Sequence, residues 1–262
     1  MIETNALREK VLDLAIRGKL VPQDPNDEPS SVLLERIRAE KQRMVKDGKI
    51  KAKDIKNDTI IFKGEDNLHY EKFADGSIKC IEDEIPFEIP VNWKWVRLAD
   101  ICSKITSGNT PAGGSKGGAY VTEGNCFFRE QNIYNDGIHY EGMVYITDEL
   151  LATRENSTVL PQDILLNITG GSIGRCALIP DDFSKGSINQ HILIIRVIES
   201  EIRQYIHKCL CSPYYQKLIM GNVVGDKDGF SAGRCKNTLI PLPPIGEQKR
   251  IVEKITQILE QI

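Results

Sequence analysis

The chain has 262 residues, 40% of them hydrophobic and 27% charged, enough for one sizeable soluble domain with an appendage or for two small ones. Its formal net charge of −3 argues against a free-standing, nonspecific nucleic-acid binder, which carries a basic face. It leaves room for sequence-specific DNA binding by a subunit that a larger partner holds on the duplex. No run approaches the roughly 18 apolar residues of a membrane span, and Met1-Ile2-Glu3-Thr4-Asn5 lacks a basic-then-apolar signal pattern. The expected location is the cytoplasm, with no membrane partner.

Leu7, Val11, Leu14 and Ala15 share one face of a predicted helix over residues 4–20, with Gly18 near its end. Residues 21–29 are a Pro/Asp/Asn loop. Ser30 or Ser31 is a candidate N-cap for a second helix over about 31–47, stopped by Gly48. Basic residues prevail between Arg36 and Lys56, and residues 57–90 reverse the sign. Asp75-Gly76 suits a hairpin turn. The chain is therefore divided into an N-terminal helical region (1–56), a linker with a small hairpin (57–84), a strand-rich domain (85–244) and a C-terminal helix (245–262). In the domain, strands are expected at residues 95–98, 125–128, 143–146, 163–168, 176–179 and 191–197, and helices at 148–154 and 201–220.

Ile240-Pro241-Leu242-Pro243-Pro244-Ile245 reads as an extended, proline-bound segment. Glu247 then falls in a first helical turn, where negative charge suits the helix dipole. Ile251, Ile255, Ile258 and Ile262 follow at steps of four, three and four, a narrow seam of coiled-coil type. The seam either packs on the domain or pairs with another long helix.

Signals for catalysis are few. The chain has no Asp/Asn-Pro-Pro-Tyr/Phe motif for holding a flipped adenine and no phosphate-binding loop ending in Gly-Lys-Ser/Thr. Gly170-Gly171-Ser172-Ile173-Gly174 lacks GxGxxG spacing, and Cys176-Ala177-Leu178-Ile179 after it reads as a strand, so a tight strand–loop–strand turn is expected. Four scattered histidines and seven scattered cysteines give no metal-ligand spacing. No cofactor or metal is expected, and the thiols read as free in a reducing compartment.

Several blocks in this order resemble the specificity (S) subunit of type I restriction-modification enzymes. They are residues 14–29 followed by 31–41; Ile89-Pro90 with Trp93 and Trp95; Ser107-Gly108-Asn109-Thr110-Pro111; Gly171-Ser172-Ile173-Gly174-Arg175; and the proline-to-helix exit at 240–252. The resemblance implies an α+β fold. It would hold one target-recognition domain with a twisted mixed β-sheet, N-terminal helices and a long C-terminal spacer helix of coiled-coil type. It implies a non-catalytic subunit that binds double-stranded DNA at a half-site. Such a subunit recruits a modification (methyltransferase) subunit and, through the complex, a restriction subunit. Complete relatives carry two recognition domains and two long helices; this chain has one of each. The seam of Ile251, Ile255, Ile258 and Ile262 would then join a second copy or a second recognition domain.

Base reading needs donors and acceptors on loops of a rigid scaffold. Four loops carry them: 103–111 with Lys116, 129–135, 184–191 and 225–234. Stretches that match many relatives, such as Gly171 to Arg175 and Asn189-Gln190, are expected to be framework, because relatives read different sequences. The expected DNA contacts lie where the match fails: Lys116, Arg129, Gln131, Asn132, Tyr134, Lys185, Lys227 and Arg234. Each could instead be a solvated loop residue, and Arg129 and Gln131 could anchor the sheet. Two other readings carry the same recognition domain: part of a fused methyltransferase-nuclease, or a protein-interaction module that no longer binds DNA.

Overall fold

The computed structural model describes residues 2–112, 114, 117–221 and 230–261. The first elements are α1 (Ile2–Ile16), α2 (Ser30–Lys46), β1 (Ile60–Lys63), β2 (His69–Lys72), β3 (Ile78–Cys80), β4 (Lys94–Arg97) and β5 (Cys102–Ser107). Then come β6 (Asn125–Phe128), β7 (Ile133–Tyr134), β8 (Gly137–Ile138), β9 (Val144–Ile146), α3 (Asp148–Ala152), β10 (Thr158–Val159), β11 (Ile164–Asn167), β12 (Cys176–Leu178), β13 (Gly186–Ile188) and β14 (Ile192–Val197). The chain closes with α4 (Arg203–Leu210), α5 (Pro213–Gly221), α6 (Ala232–Asn237), β15 (Leu239–Leu242) and α7 (Ile245–Leu259). No helix among the described residues is long and apolar enough to cross a membrane. The elements form two compact units: Met1–Ser103 with Ile198–Pro213 and Lys236–Ile262, and Lys104–Val197 with Tyr214–Cys235.

In the first unit, Gly18 and Gly48 take positive φ and stop α1 and α2 as expected. Ser30 does not cap α2. Its hydroxyl donates across 2.7 Å to the Leu242 carbonyl, a partner 212 residues away. Residues 57–84 are more than a linker with one hairpin: β1, β2 and β3 form an antiparallel sheet, and Asp75-Gly76 turns β2 into β3. Ile61 and Ile81 join Trp95 and Leu239 in one apolar cluster, which is why this stretch is folded. Pro241 is tolerated because β15 pairs only with β4, in a two-stranded sheet.

The first turn of α7 is fastened to the N-terminal loop. The Trp93 indole and the Gln23 amide donate to the buried Glu247 carboxylate at 2.9 and 2.6 Å, and Arg250 clasps Asp27 at 2.6 Å. Burial pushes the Glu247 carboxyl above its usual range, against these two hydrogen bonds. Of the two readings of the isoleucine seam, packing on the chain itself describes Ile251 and Ile255. Helix α7 packs against α1 and α4, and Ile251 and Ile255 are fully buried by the chain itself. A four-to-three spacing marks an apolar stripe but does not say which helix covers it. Ile258 is half-buried, and Ile262 lies outside the described residues.

The second unit holds two four-stranded sheets, ordered β10-β13-β6-β9 and β12-β11-β14-β5. The first is mixed: β13 and β6 run parallel, and the other two pairings are antiparallel. Side chains alternate along β6, so Phe128 and Phe127 face opposite sides. Phe128 joins Val159 and Ile188 against Leu165, Ala177 and Ile194 of the second sheet. Phe127 packs with Ile146 and with Leu151 of α3. The helix expected over 201–220 is broken into α4 and α5 at Ser212-Pro213, because proline cannot continue a helix but can open one.

Candidate nucleic-acid interface

Because β6 and β13 are parallel neighbours, with Phe128 opposite Ile188, their following loops emerge at the same end of the sheet. Residues 129–132 and 189–191 are thereby brought side by side. The Asn189 N–H donates to the Phe128 carbonyl at 3.2 Å, and its side-chain amide donates to Glu130 Oε2 at 2.8 Å. Burial pushes the Glu130 carboxyl up, but the Asn189 bond and its own backbone bond outweigh this and hold it below the usual range.

The 107–111 loop joins the same cluster. The Gly108 N–H donates to the Asn189 carbonyl at 3.1 Å. A Cβ on Gly108 would lie 2.0 Å from the Ile188 carbonyl oxygen, so only glycine permits this approach. Arg154 pins the loop from beneath. Its buried guanidinium lies over the Phe127 ring at 5.1 Å and donates to Ser187 Oγ (2.9 Å) and to the Ile188 and Asn109 carbonyls. Its pKa is lowered because burial penalises the charge. A third strand end contributes as well: Asn167 of β11 donates to the Glu130 carbonyl (2.8 Å) and to Ser172 Oγ (3.1 Å).

Above this framework sits a line of reachable polar groups. The Thr110 hydroxyl donates to Gln190 Oε1 at 2.5 Å, Gln190 meets His191 Nε2 at 3.0 Å, and His191 Nδ1 meets Thr169 Oγ at 2.6 Å. Asn109, Thr110, Gln131 and Gln190 are exposed. Donors and acceptors of mixed type, presented on loops whose buried members are already paired, are what base-edge reading requires.

The family described as "Type I restriction modification DNA specificity domain" matches residues 90–262. The chain belongs to this family. Two curated relatives from Escherichia coli span nearly the whole chain. The type I restriction enzyme EcoAI specificity subunit is 29% identical over 98% of this chain and 40% of its own length. The EcoEI specificity subunit is 30% identical over 97% of this chain and 39% of its own length. The chain thus spans about 40% of the curated relatives it matches. A solved chain from a study of complex assembly and conformational transition of the type I R-M system shares the fold. It has a TM-score of 0.52 at 18% identity, over 99% of this chain and 50% of that chain.

Within this specificity domain the sequence-predicted contacts fall in different places. Gln131 is exposed on the converging rim. Asn132 is not available to DNA. It is fully buried, its Oδ1 accepts the Arg129 N–H (3.1 Å), and its amide donates to the His139 and Glu141 carbonyls. Arg129 is half-buried and donates to the Gly142 carbonyl at 2.5 Å, so it anchors the 133–142 hairpin. Tyr134 is half-buried in a stack with His139 (centroids 3.9 Å apart) and Arg175. Lys185 is exposed, 3.8 Å from Asp148, and Arg234 is exposed on α6. Lys116 and Lys227 lie outside the described residues.

Sequence reasoning missed the roles of Arg154, Glu130 and Asn167 in the specificity domain. Each is polar, close to an apolar strand and buried or half-buried. The hint was a charged or amide residue at the edge of a strand pattern, where burial forces a partner.

Proposed function

We propose that this chain is a DNA-sequence-specificity subunit, or one recognition half of one, of a type I restriction-modification complex. The observation that carries the reading is the convergence of the 107–111, 129–132 and 189–191 loops on one rim, with Thr110, Gln131 and Gln190 exposed over a paired framework. In this reading the rim enters the groove of double-stranded DNA at a half-site. Gln131 carries a donor–acceptor pair suited to adenine, Gln190 is held by Thr110 and His191 as part of the rim, and Lys185 and Arg234 contribute charge. Lys116 and Lys227 stay as expected contacts on the same grounds as in the sequence.

The subunit itself is not catalytic. It holds a modification (methyltransferase) subunit on the target and brings in a restriction subunit through the complex. Helix α7 is read as the first turns of a spacer leading to a second recognition domain or a second copy. The fastening of α7 to Gln23, Asp27 and Trp93 supports its use as a rigid lever.

The test is to co-express the chain with its modification subunit in a host lacking DNA methylation and to map N6-methyladenine. A split palindromic motif is expected if two copies each read a half-site; an asymmetric motif is expected if a different second domain completes the reader. Methylation without any motif, with both proteins soluble and associated, would refute the reading.

A further inference from the structure

Resting on the DNA-recognition reading, we infer that Arg175 contacts a phosphodiester of the DNA backbone, positioned for it by Tyr134 and His139. The Arg175 guanidinium lies over the Tyr134 ring at 4.3 Å. The His139 ring stacks on the same phenol, with centroids 3.9 Å and planes 15° apart. One ring face cannot seat both groups at those distances, so Tyr134 is held between them.

Each layer is fixed from elsewhere. The His139 N–H donates to the Asn132 carbonyl at 2.9 Å, and its Nε2 lies 3.1 Å from Asp136. Asn135 Oδ1, at the tip of the β7–β8 hairpin, accepts the Cys176 N–H at 2.9 Å. The hairpin is thereby tied to the strand that Arg175 leads into. Among the described residues no carboxylate pairs with Arg175, although it is partly exposed. A guanidinium laid on an aromatic ring keeps the N–H donors at its edge for an outside acceptor, with little side-chain freedom left to lose.

The space beside it favours a phosphate over a base edge. Gly170 and Gly171 precede it in the same turn, both are exposed, and nothing lies within 4 Å of where their Cβ atoms would be. Bare backbone next to a fixed cation admits a bulky anionic group. The two hydroxyls of that turn are already engaged, Ser172 by the Asn167 amide at 3.1 Å and Thr169 by His191 at 2.6 Å. The contact would position the duplex without adding sequence information.

The test uses the chain in complex with its modification subunit, and two duplexes, one with the mapped motif and one scrambled. Arg175→Gln should weaken binding of both about tenfold, lower the slope of log affinity against log salt by about one, and leave the methylation motif unchanged. Arg175→Lys should restore most of the slope, since a phosphate accepts a point charge. Tyr134→Leu, which keeps the charge and loses the ring, should weaken both duplexes with the slope retained. A slope unchanged in folded Arg175→Gln would overturn the inference, and so would a methylation motif altered at one base in Arg175→Gln or Tyr134→Leu. A wild-type complex without any sequence preference would instead overturn the DNA-recognition reading.

Discussion

Raising the pH from about 5 to about 8 should destabilise the first unit by about 2–3 kcal/mol, and Asp100→Asn should abolish most of that dependence. Asp100 is 6% exposed. Its Oδ1 accepts the Thr59 N–H at 3.0 Å, and its Oδ2 lies 3.1 Å from Thr59 Oγ. The same hydroxyl is 2.8 Å from Glu71 Oε1. Thr59 has one hydroxyl hydrogen for two carboxylates. Burial pushes Glu71 up, but the bonds from Arg97 and Thr59 outweigh it, so Glu71 stays ionised and takes that hydrogen. A proton on Asp100 then completes the network by donating to Thr59 Oγ. Lys41 cannot substitute, since it is committed to Asp58 at 2.7 and 2.8 Å and to the Ala99 carbonyl.

Burial, with the Asp58 charge nearby, raises the Asp100 carboxyl to about 7 against the opposing Thr59 bond and Lys41. An unfolded aspartate titrates near 3.9. Between those values the folded chain holds a proton that the unfolded chain has released. The stabilisation is complete at low pH and is lost, at about 1.4 kcal/mol per pH unit, as the pH rises towards and through about 7. Urea unfolding followed by tryptophan emission reports this unit alone, because both tryptophans, Trp93 and Trp95, are buried in it. Burial also raises Asp58 and Glu247, with the same sign, so the comparison with Asp100→Asn isolates one group. Asparagine preserves the geometry: its oxygen accepts the Thr59 N–H and its amide donates to Thr59 Oγ. If Asp100→Asn kept the wild-type slope of stability against pH, the reasoning would be wrong.

Gln131→Ala should alter or blur the methylation motif while changing stability by no more than about 0.5 kcal/mol, as an exposed side chain should. Asn132→Ala should do the reverse, lowering the unfolding free energy of the second unit, measured in urea, by about 1–3 kcal/mol for the unpaired carbonyls and N–H it leaves; altered specificity in a fully stable Asn132→Ala protein would contradict its burial. Ile255→Ala should cost about 2–5 kcal/mol of first-unit stability, seen in the same tryptophan unfolding assay. Loss of self-association with an unchanged midpoint would mean that the seam serves a partner after all.

Much of this protein was legible without coordinates. Glycines at 18 and 48, β-branched and aromatic runs such as Asn125–Phe128 and Ile192–Val197, and the isoleucine spacing of α7 all place their elements correctly, because φ/ψ preference and side-chain periodicity are local properties. The first proline of 241–244 did not end the strand, since β15 runs through Pro241. The family-like blocks pointed to the same family that residues 90–262 match. What the tertiary structure decided depends on partners far apart in sequence. Ser30 looked like a cap and instead bonds Leu242; Asn132 looked like a reader and is consumed by the His139 and Glu141 carbonyls; Ile251 and Ile255 looked like a seam for another chain and are covered by α1 and α4. Above all, the parallel pairing of β6 with β13, strands some sixty residues apart, places the 129–132 and 189–191 loops at one edge. An alternating strand pattern fixes which face is buried but not which strand lies alongside, since any neighbour can satisfy the backbone ladder.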